Sequence, residues 1–302
     1  MTIRHALFAR LTAALALSAL AACSGTRILN ALTPSGGYGI ATNIVFDAAH
    51  GLALDIYKPS GAKDAPVIVF FYGGRWTEGR KDDFKFAAQA LASKGFVAVL
   101  PDYRHYPAVK FPAFVQDAAR AVQWTFQRIR GYGGDPAKVF VMGHSSGAHL
   151  AAMLALNPAF LKEAGGDRTQ LRGMIGLSGP YDFIPITAPD MRDMFGPPER
   201  FELSQPITFV DGENPPLLLL HGEDDSVVGS RNTKNLAAAV AKAGGVVETV
   251  LYPEMSHAWM VATLAATLRG QSDVLQQVAD FVRRKSVETP KESSVKTVPG
   301  EP

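Results

Sequence analysis

An apolar run, Val139 to Met142, ends directly on Gly143-His144-Ser145-Ser146-Gly147, and a helical pattern with small residues on its near face begins directly after Gly147. A chain that turns from a buried strand into a helix this abruptly brings the helix close over the sheet. A side chain at either glycine of such a turn would collide with the neighbouring strand or helix. The residue at the sharpest point, Ser145, is therefore expected in a strained conformation, its hydroxyl pushed out of the sheet edge. The five-residue pattern alone recurs by chance; its strand-turn-helix setting is what makes it specific.

The rest of the chain alternates in the same manner. The strand pair Asn43 to Phe46 and Leu52 to Tyr57 is followed by strand Val67 to Phe71, helix Asp83 to Lys94, strand Val97 to Leu100 and a long helix, Ala113 to Arg130. Beyond the elbow come strands Met174 to Leu177 and Leu217 to Leu220, helix Asn232 to Ala243, strand Val247 to Leu251 and a closing helix, Gln271 to Lys285. This alternation predicts an α/β fold, a mainly parallel central sheet with helices on both faces, occupying 41–285. Residues 183–213 are Pro-rich, aromatic and weakly periodic, which predicts a small cap or lid.

Both ends read differently. Arg4 and Arg10 form a basic start, Leu11 to Leu20 an uncharged apolar stretch too short for an ordinary membrane span, and Leu20-Ala21-Ala22-Cys23 follows. This predicts a signal peptide over 1–22. The ending resembles a bacterial lipobox, which implies lipidation of Cys23, with Ser24 after it implying outer-membrane sorting and a periplasm-facing envelope protein. Residues 23–40 then read as a tether and 286–302, rich in Lys, Glu, Pro, Ser and Thr, as a disordered tail. Cys23 is the sole cysteine, so its acylation leaves no thiol for disulfides, thiolate metal sites or a cysteine nucleophile. The formal charge of +2 disappears with the two leader arginines, leaving 28 basic against 28 acidic residues. A neutral mature domain lacks the electrostatic footprint of a nucleic-acid binder.

A serine hydroxyl needs a base, and the base an orienting acid. In folds with this elbow the order is Ser, then acid, then His, each on a loop after a later strand. Of the seven histidines, only His257 has the right order and loop position. His144 is adjacent to Ser145 and cannot fold back onto its hydroxyl, His149 lies one helical turn on as a packing or mouth residue, and His221 precedes the acid. Glu223, Asp224 and Asp225 compete for the acid, with Asp182 fitting less well. For the oxyanion, strand Val67 to Phe71 runs into Tyr72-Gly73-Gly74-Arg75-Trp76. Glycines there let backbone N–H groups turn toward a carbonyl, and the Ser146 N–H is the second source.

Taken together, these segments resemble the α/β-hydrolases of the esterase/lipase type, near the hormone-sensitive-lipase-like and bacterial carboxylesterase branches. Phe71 to Gly79 resembles their H-G-G-x-W segment and Pro101 to Arg104 their D-Y-R segment. The resemblance runs from about Asn43 to Lys285. Its H-G-x-x-D-x-x-V loop pattern selects Asp225. Two positions depart: Tyr72 stands where a histidine is usual, and Arg75 where many members have a third glycine. An N–H survives at Arg75, so the oxyanion hole is expected from Gly74, Arg75 and Ser146, while the Arg75 side chain narrows the mouth or binds an anionic group. Arg104 is expected as a structural ion-pairing residue. Trp76 and Tyr181 are expected to wall the pocket under the 183–213 roof.

The resemblance implies a serine hydrolase of small or medium carboxylic esters, with Ser145, His257 and Asp225 as triad and no metal or cofactor. The segment Ser178 to Asp182 resembles those of formamidase-like and isoprenylcysteine-methylesterase-like relatives, so an amide, formamide or isoprenylcysteine methyl ester is an alternative substrate. A catalytically dead envelope binding lipoprotein is the alternative from another class.

Overall fold

The computed structural model describes residues 25–288. The described chain opens with a short helix, α1 (25–31), and then a strand pair, β1 (Tyr38–Asp47) and β2 (Leu52–Pro59). Next come β3 (Ala65–Phe71), α2 (Lys85–Ser93), β4 (Val97–Pro101), α3 (Ala113–Arg128), β5 (Gly134–His144) and α4 (Ser146–Leu156). After α5 (Pro158–Glu163) and β6 (Leu171–Leu177) stands α6 (Pro189–Phe195), within the cap. The chain closes with β7 (Leu217–Gly222), α7 (Arg231–Lys242), β8 (Val247–Tyr252), α8 (His257–Ala262) and α9 (Val274–Val287).

The eight strands form one sheet in the order β1-β2-β4-β3-β5-β6-β7-β8, antiparallel at β1-β2-β4 and parallel from β4 to β8. Strands covered on both faces read as unbroken apolar runs, and β4 (VAVLP) and β7 (LLLLHG) are buried at every position. The edges are not: β1 is mostly exposed, and no residue of β8 is fully buried. Helices α3 and α4 pack together, as do α2 and α9, and Phe281 of α9 meets Phe140 of β5 at 6.2 Å between ring centroids. Phe71, Gly143, Gly176 and Leu219 lie in register across four neighbouring parallel strands. The loops carrying the candidate residues therefore leave the sheet on one side, the carboxyl ends of the strands, where α/β sheets hold their ligands.

The α/β architecture with a parallel core is as the alternation predicted; the ends and the short elements differ. From Gly25 the expected tether is α1, docked rather than loose. Asn30 Nδ2 donates to the Asp82 carbonyl at 2.8 Å, the Phe86 N–H donates to Asn30 Oδ1 at 3.1 Å, and Leu29 packs against the core. Strand β1 already begins at Tyr38, inside the 23–40 segment. The closing helix runs to Val287, past the expected start of the tail. The leader, Cys23 and the tail from 289 lie outside the described residues. The cap consists of α6 and two 3₁₀ segments, Pro198–Ser204 and Pro206–Phe209. Among the described residues no helix is long and apolar enough to cross a membrane.

Candidate active site

Strand β5 delivers the elbow. A Cβ at Gly143 would lie 2.2 Å from the carbonyl of Gly147, and one at Gly147 would lie 2.0 Å from the carbonyl oxygen of Phe71. Both neighbours are backbone, so only glycine lets β3, β5 and α4 approach this closely. Between them Ser145 has φ 55° and ψ −124°, a strained non-glycine conformation. It is held by its own N–H, which donates to the Leu177 carbonyl at 2.9 Å. Its carbonyl accepts from Ala148 and His149 at 2.9 and 3.1 Å, starting α4. Ser145 is partly exposed between buried neighbours.

The loop after β7 carries the acid. Asp225 is buried, and its Oδ1 accepts the N–H groups of Val227 and Val228 at 2.9 and 2.8 Å. The other oxygen, Oδ2, accepts from His257 Nδ1 at 2.7 Å. Burial alone would raise this carboxyl; hydrogen bonds from His221 and His257, with the Val228 N–H, overcome it and hold Asp225 well below the usual carboxylate range. Asp225 is therefore an anion that fixes the Nδ1–H tautomer of His257, leaving Nε2 as the basic nitrogen. Its rivals are engaged elsewhere. Glu223 is exposed and bound to Lys234 at 3.1 Å, Asp224 is exposed, and Asp182 accepts from Asn235 at 2.7 Å.

Two histidines set aside by sequence order brace this pair. Buried His221 takes the Thr233 hydroxyl on Nδ1 at 2.8 Å and directs Nε2–H at the Val228 carbonyl at 2.7 Å, with Asp225 Oδ2 at 3.4 Å. His144 donates from Nε2 to the His257 carbonyl at 3.0 Å, and the two rings lie 4.7 Å apart. Burial, and then the charge of His257, pulls His144 down to about 3, so it remains a neutral donor. The H-G-x-x-D pattern already contained His221. For His144 the sequence signal was only its place beside Ser145, and that shows nothing of where the ring points.

The oxyanion segment follows β3. Gly74, Arg75 and Trp76 all have positive φ, 149°, 54° and 61°. The Thr77 and Glu78 N–H groups close on the Gly74 carbonyl at 2.9 and 3.0 Å, making one left-handed turn. The leading N–H groups of such a turn have no partner inside it. The left-handed φ at Arg75 explains why glycine suits this position and why arginine here carries strain. A Cβ on Gly74 would meet the Glu78 carbonyl at 2.0 Å, so Gly74 serves the turn itself. Gly73 is the glycine that lies against Ser145: a Cβ there would sit 3.1 Å from Ser145 Cβ. Ser146, the other expected donor, is buried at the first position of α4.

The side chains expected as pocket walls and mouth are placed differently. Arg75 makes a two-pronged ion pair with Asp190 in the first turn of α6, clasping the oxyanion loop to the cap. Trp76 is only 3 % exposed, packed among Phe114, Phe183, Phe195 and His149. Its indole N–H donates to His149 Nδ1 at 3.3 Å, while His149 Nε2–H donates to the Ser204 carbonyl at 2.8 Å. Tyr181 is fully buried, its ring filling the space that Gly176 and Gly179 leave. Both are buried against the cap's base: Trp76 packs on Phe183 and Phe195, and the Tyr181 carbonyl accepts from the Ile207 N–H at 3.2 Å. Tyr72, in the usual histidine position, stacks on Tyr103 at 4.6 Å and donates to Asp102 at 3.3 Å. Arg104 pairs with buried Asp117 at 2.7 Å, the structural role expected of it. A depression of about 510 Å³ beside the cap, lined by Lys110, Arg192, Asp193 and Gly196 to Pro198, includes none of Ser145, Asp225 and His257. Among the described residues no cluster of three or more His, Cys, Asp or Glu side chains could hold a metal ion.

The sequence pattern of the BD-FAE family matches residues 54–240, more than half of the chain. The chain belongs to the BD-FAE family. The match takes in the oxyanion loop, the elbow and Asp225, and stops before His257. Esterase LipQ of Mycobacterium tuberculosis is 32 % identical over 250 residues, covering 76 % of this chain and 58 % of LipQ. The isoprenylcysteine alpha-carbonyl methylesterase ICME of Arabidopsis thaliana is 29 % identical over 263 residues, 78 % of this chain and 60 % of the relative. The chain thus spans about three-fifths of the length of these curated relatives. Among solved structures, the thermophilic esterase 2 of Thermogutta terrifontis superposes with a TM-score of 0.68 at 25 % identity, covering 86 % of this chain and 97 % of that one. This BD-FAE family member is an α/β-hydrolase of the esterase/lipase type.

Proposed function

We propose that the protein hydrolyses small or medium carboxylic esters through an acyl-enzyme. The observation that carries this is the 2.7 Å Asp225–His257 pair on the loops beside the strained Ser145 elbow. Ser145 Oγ attacks the ester carbonyl carbon as His257 Nε2 takes the hydroxyl proton. The carbonyl oxygen becomes an oxyanion facing the N–H groups of the Gly74–Arg75 turn and Ser146. Collapse expels the alcohol, which takes the proton from His257. Water, deprotonated by the same nitrogen, then releases the acid and regenerates Ser145. Asp225 stays ionised throughout and stabilises the imidazolium. The esterase names of the relatives support this reading. Ser145→Ala is expected to abolish turnover of short-chain p-nitrophenyl esters and labelling by a fluorophosphonate, with an unchanged melting temperature. Undiminished turnover in that variant would remove Ser145 from the mechanism, and a wild-type protein that neither turns over nor labels would favour the envelope binding role instead.

The isoprenylcysteine methylesterases among the relatives favour one second reading, a methyl ester substrate with the same triad. A methyl ester of a prenylated cysteine set against p-nitrophenyl esters, an anilide and a formanilide would decide between ester, amide and formamide bonds. The lipobox at Leu20 to Cys23 supports a lipid-anchored protein of the bacterial envelope, at the outer membrane and facing the periplasm. A Cys23→Ser variant recovered unchanged in the membrane fraction would sink that anchor.

A further inference from the structure

Among the described residues ten large apolar side chains are prominently exposed, and four of them fall within residues 28–45: Ile28 at 60 %, Leu32 at 55 %, Ile40 at 44 % and Val45 at 59 %. Ile28 of α1 and Leu32, the residue after its last, are one helical turn apart and joined by the Leu32 N–H to Ile28 carbonyl bond at 3.1 Å, so they project together. Ile40 and Val45 would normally point to opposite faces of β1. The register shift between Ala41 and Ile44 inserts one extra residue, so their partners on β2 are Tyr57 and Ala53, four apart. That bulge puts Ile40 and Val45 on one face. The segments that carry the two pairs are linked by a short chain of bonds. Asn30 of α1 holds the Asp82 carbonyl, and the adjacent Lys81 reaches Asn43, inside the bulge, at 2.9 Å. Strand β1 is the sheet edge, so nothing of the described sheet covers its outer side.

The chain around this patch indicates what covers it. Gly25, where α1 is first seen, lies two residues after Cys23, a reach of at most ~7 Å. That is about the depth of one headgroup layer. An acyl-anchored Cys23 would therefore bring α1 to the interface whether or not the helix had an apolar face. The helix has one, flanked by exposed Arg27, a cation suited to anionic headgroups. We propose that Ile28 and Leu32, with Ile40 and Val45 beside them, rest on the bilayer surface as a second, protein-borne contact. This rests on the lipid-anchor reading above and goes beyond it, because it fixes the orientation of the domain. Lys81, next to the α1 dock, donates its N–H at 2.8 Å to Asp102, which accepts from Tyr72 at the head of the oxyanion loop. The corner that meets the membrane is thus at the active-site end of the sheet, and esters partitioned into the interface meet the catalytic loops first.

Because acylation consumes Cys23, an introduced thiol can be labelled singly. The test places an environment-sensitive fluorophore on Leu32→Cys and, on the opposite sheet edge, on Val246→Cys. The full lipidated chain is reconstituted in phosphatidylethanolamine–phosphatidylglycerol vesicles containing a bromine-quencher lipid. The expected result is quenching at position 32 several-fold stronger than at 246, reduced to the 246 level when Ile28→Asp is added. Equal, weak quenching at both positions with the protein on vesicles would overturn the proposal. So would energy transfer between labelled copies at position 32, which would make the face a contact between two chains. The N-terminal mass separates the readings: an unacylated Cys23 removes the anchor and this orientation together, whereas an acylated chain with an unquenched α1 removes the orientation alone.

Discussion

Asp225→Asn is the sharpest test of the proposed triad, because its effect follows from three distances. Asp225 Oδ1 accepts two backbone N–H groups, at 2.9 and 2.8 Å, and Oδ2 accepts from His257 Nδ1 at 2.7 Å. An asparagine amide must place one oxygen and one NH₂ in those positions. Turning the NH₂ toward Val227 and Val228 would leave two part-buried donors facing a donor, at about 1 kcal/mol each, the low end of the cost of an unsatisfied group. The amide oxygen therefore stays on the two N–H groups and the NH₂ faces His257. Nδ1 must then accept, its proton moves to Nε2, and the nitrogen that should receive the serine proton already carries one. In serine proteases the same wrong tautomer lowers kcat by about 10⁴, close to 5.4 kcal/mol at 1.36 kcal/mol per decade. We expect a loss of that order in p-nitrophenyl ester turnover and a parallel slowing of fluorophosphonate labelling, in a folded protein of unchanged volume at the site. Asp224→Asn, on the same loop but exposed, should stay within about twofold of wild type, as surface substitutions away from such features do. Asp225→Asn retaining more than about a tenth of the activity, or Asp224→Asn collapsing instead, would refute the tautomer argument.

Three further outcomes follow from packing and charge. Gly147→Ala would press a methyl to 2.0 Å from the Phe71 carbonyl oxygen, and α4 cannot retreat without lifting the elbow; the variant should lose 3 kcal/mol or about that in chemical denaturation, and a near-native midpoint would mean the elbow is looser than described. Asp117→Ala removes a fully buried carboxylate that holds Arg104 and Arg120; a loss of about 3 kcal/mol is expected, against near-neutrality if these pairs behave as exposed ones. Burial pulls His144 down to about 3 and His149 to about 4. Both bind their proton more readily in the unfolded chain, near pH 6.5, so their contribution is complete above that pH. It is lost as pH falls toward the folded values, at about 1.4 kcal/mol per pH unit for each histidine. A melting temperature flat from pH 7 to pH 5 would contradict their burial.

How far the sequence could be read depended on which contacts a residue's role requires. The elbow was legible in part because Gly143 answers to the Gly147 backbone four residues on, inside the strand-turn-helix itself, whereas Gly147 answers to Phe71 of the distant strand β3 and is read only through the pattern it completes. The central strands were legible because burial on both faces leaves unbroken apolar runs. The choice between Asp224 and Asp225 needed the loop geometry or a family pattern, since adjacent acids differ only in which way the chain turns them. Helices α5 and α8 have six residues each, under two turns, too few for a 3.6-residue period to show. The burial of Trp76 and Tyr181 was not legible for a different reason. Aromatic residues beside a catalytic loop suit a pocket wall, but whether they face space or protein is decided by the cap, whose sequence carries little periodicity.

The clasp at Arg75 shows what holds the oxyanion loop in its left-handed turn. Two consecutive non-glycine residues at φ 54° and 61° cost roughly 1–2 kcal/mol each. The Arg75–Asp190 pair is 46 % and 40 % exposed, and an ion pair in that setting contributes at most about 1 kcal/mol. It cannot offset the strain of both residues. Burial of Trp76 offsets the larger share, since a fully buried large apolar side chain is worth ~1.5–3 kcal/mol, and its indole N–H keeps a partner in His149. The tryptophan, not the ion pair, should therefore fix the loop. Asp190→Ala is expected to leave kcat within about twofold, with any effect on KM fading as salt screens the wild-type pair. Trp76→Ala should lower kcat by tenfold or about that while Ser145 still labels, because one misplaced oxyanion donor costs the transition state more than the ground state. If instead Asp190→Ala proves the damaging change and Trp76→Ala is tolerated, the loop is held from the cap side by charge, and the order of these two energies is wrong.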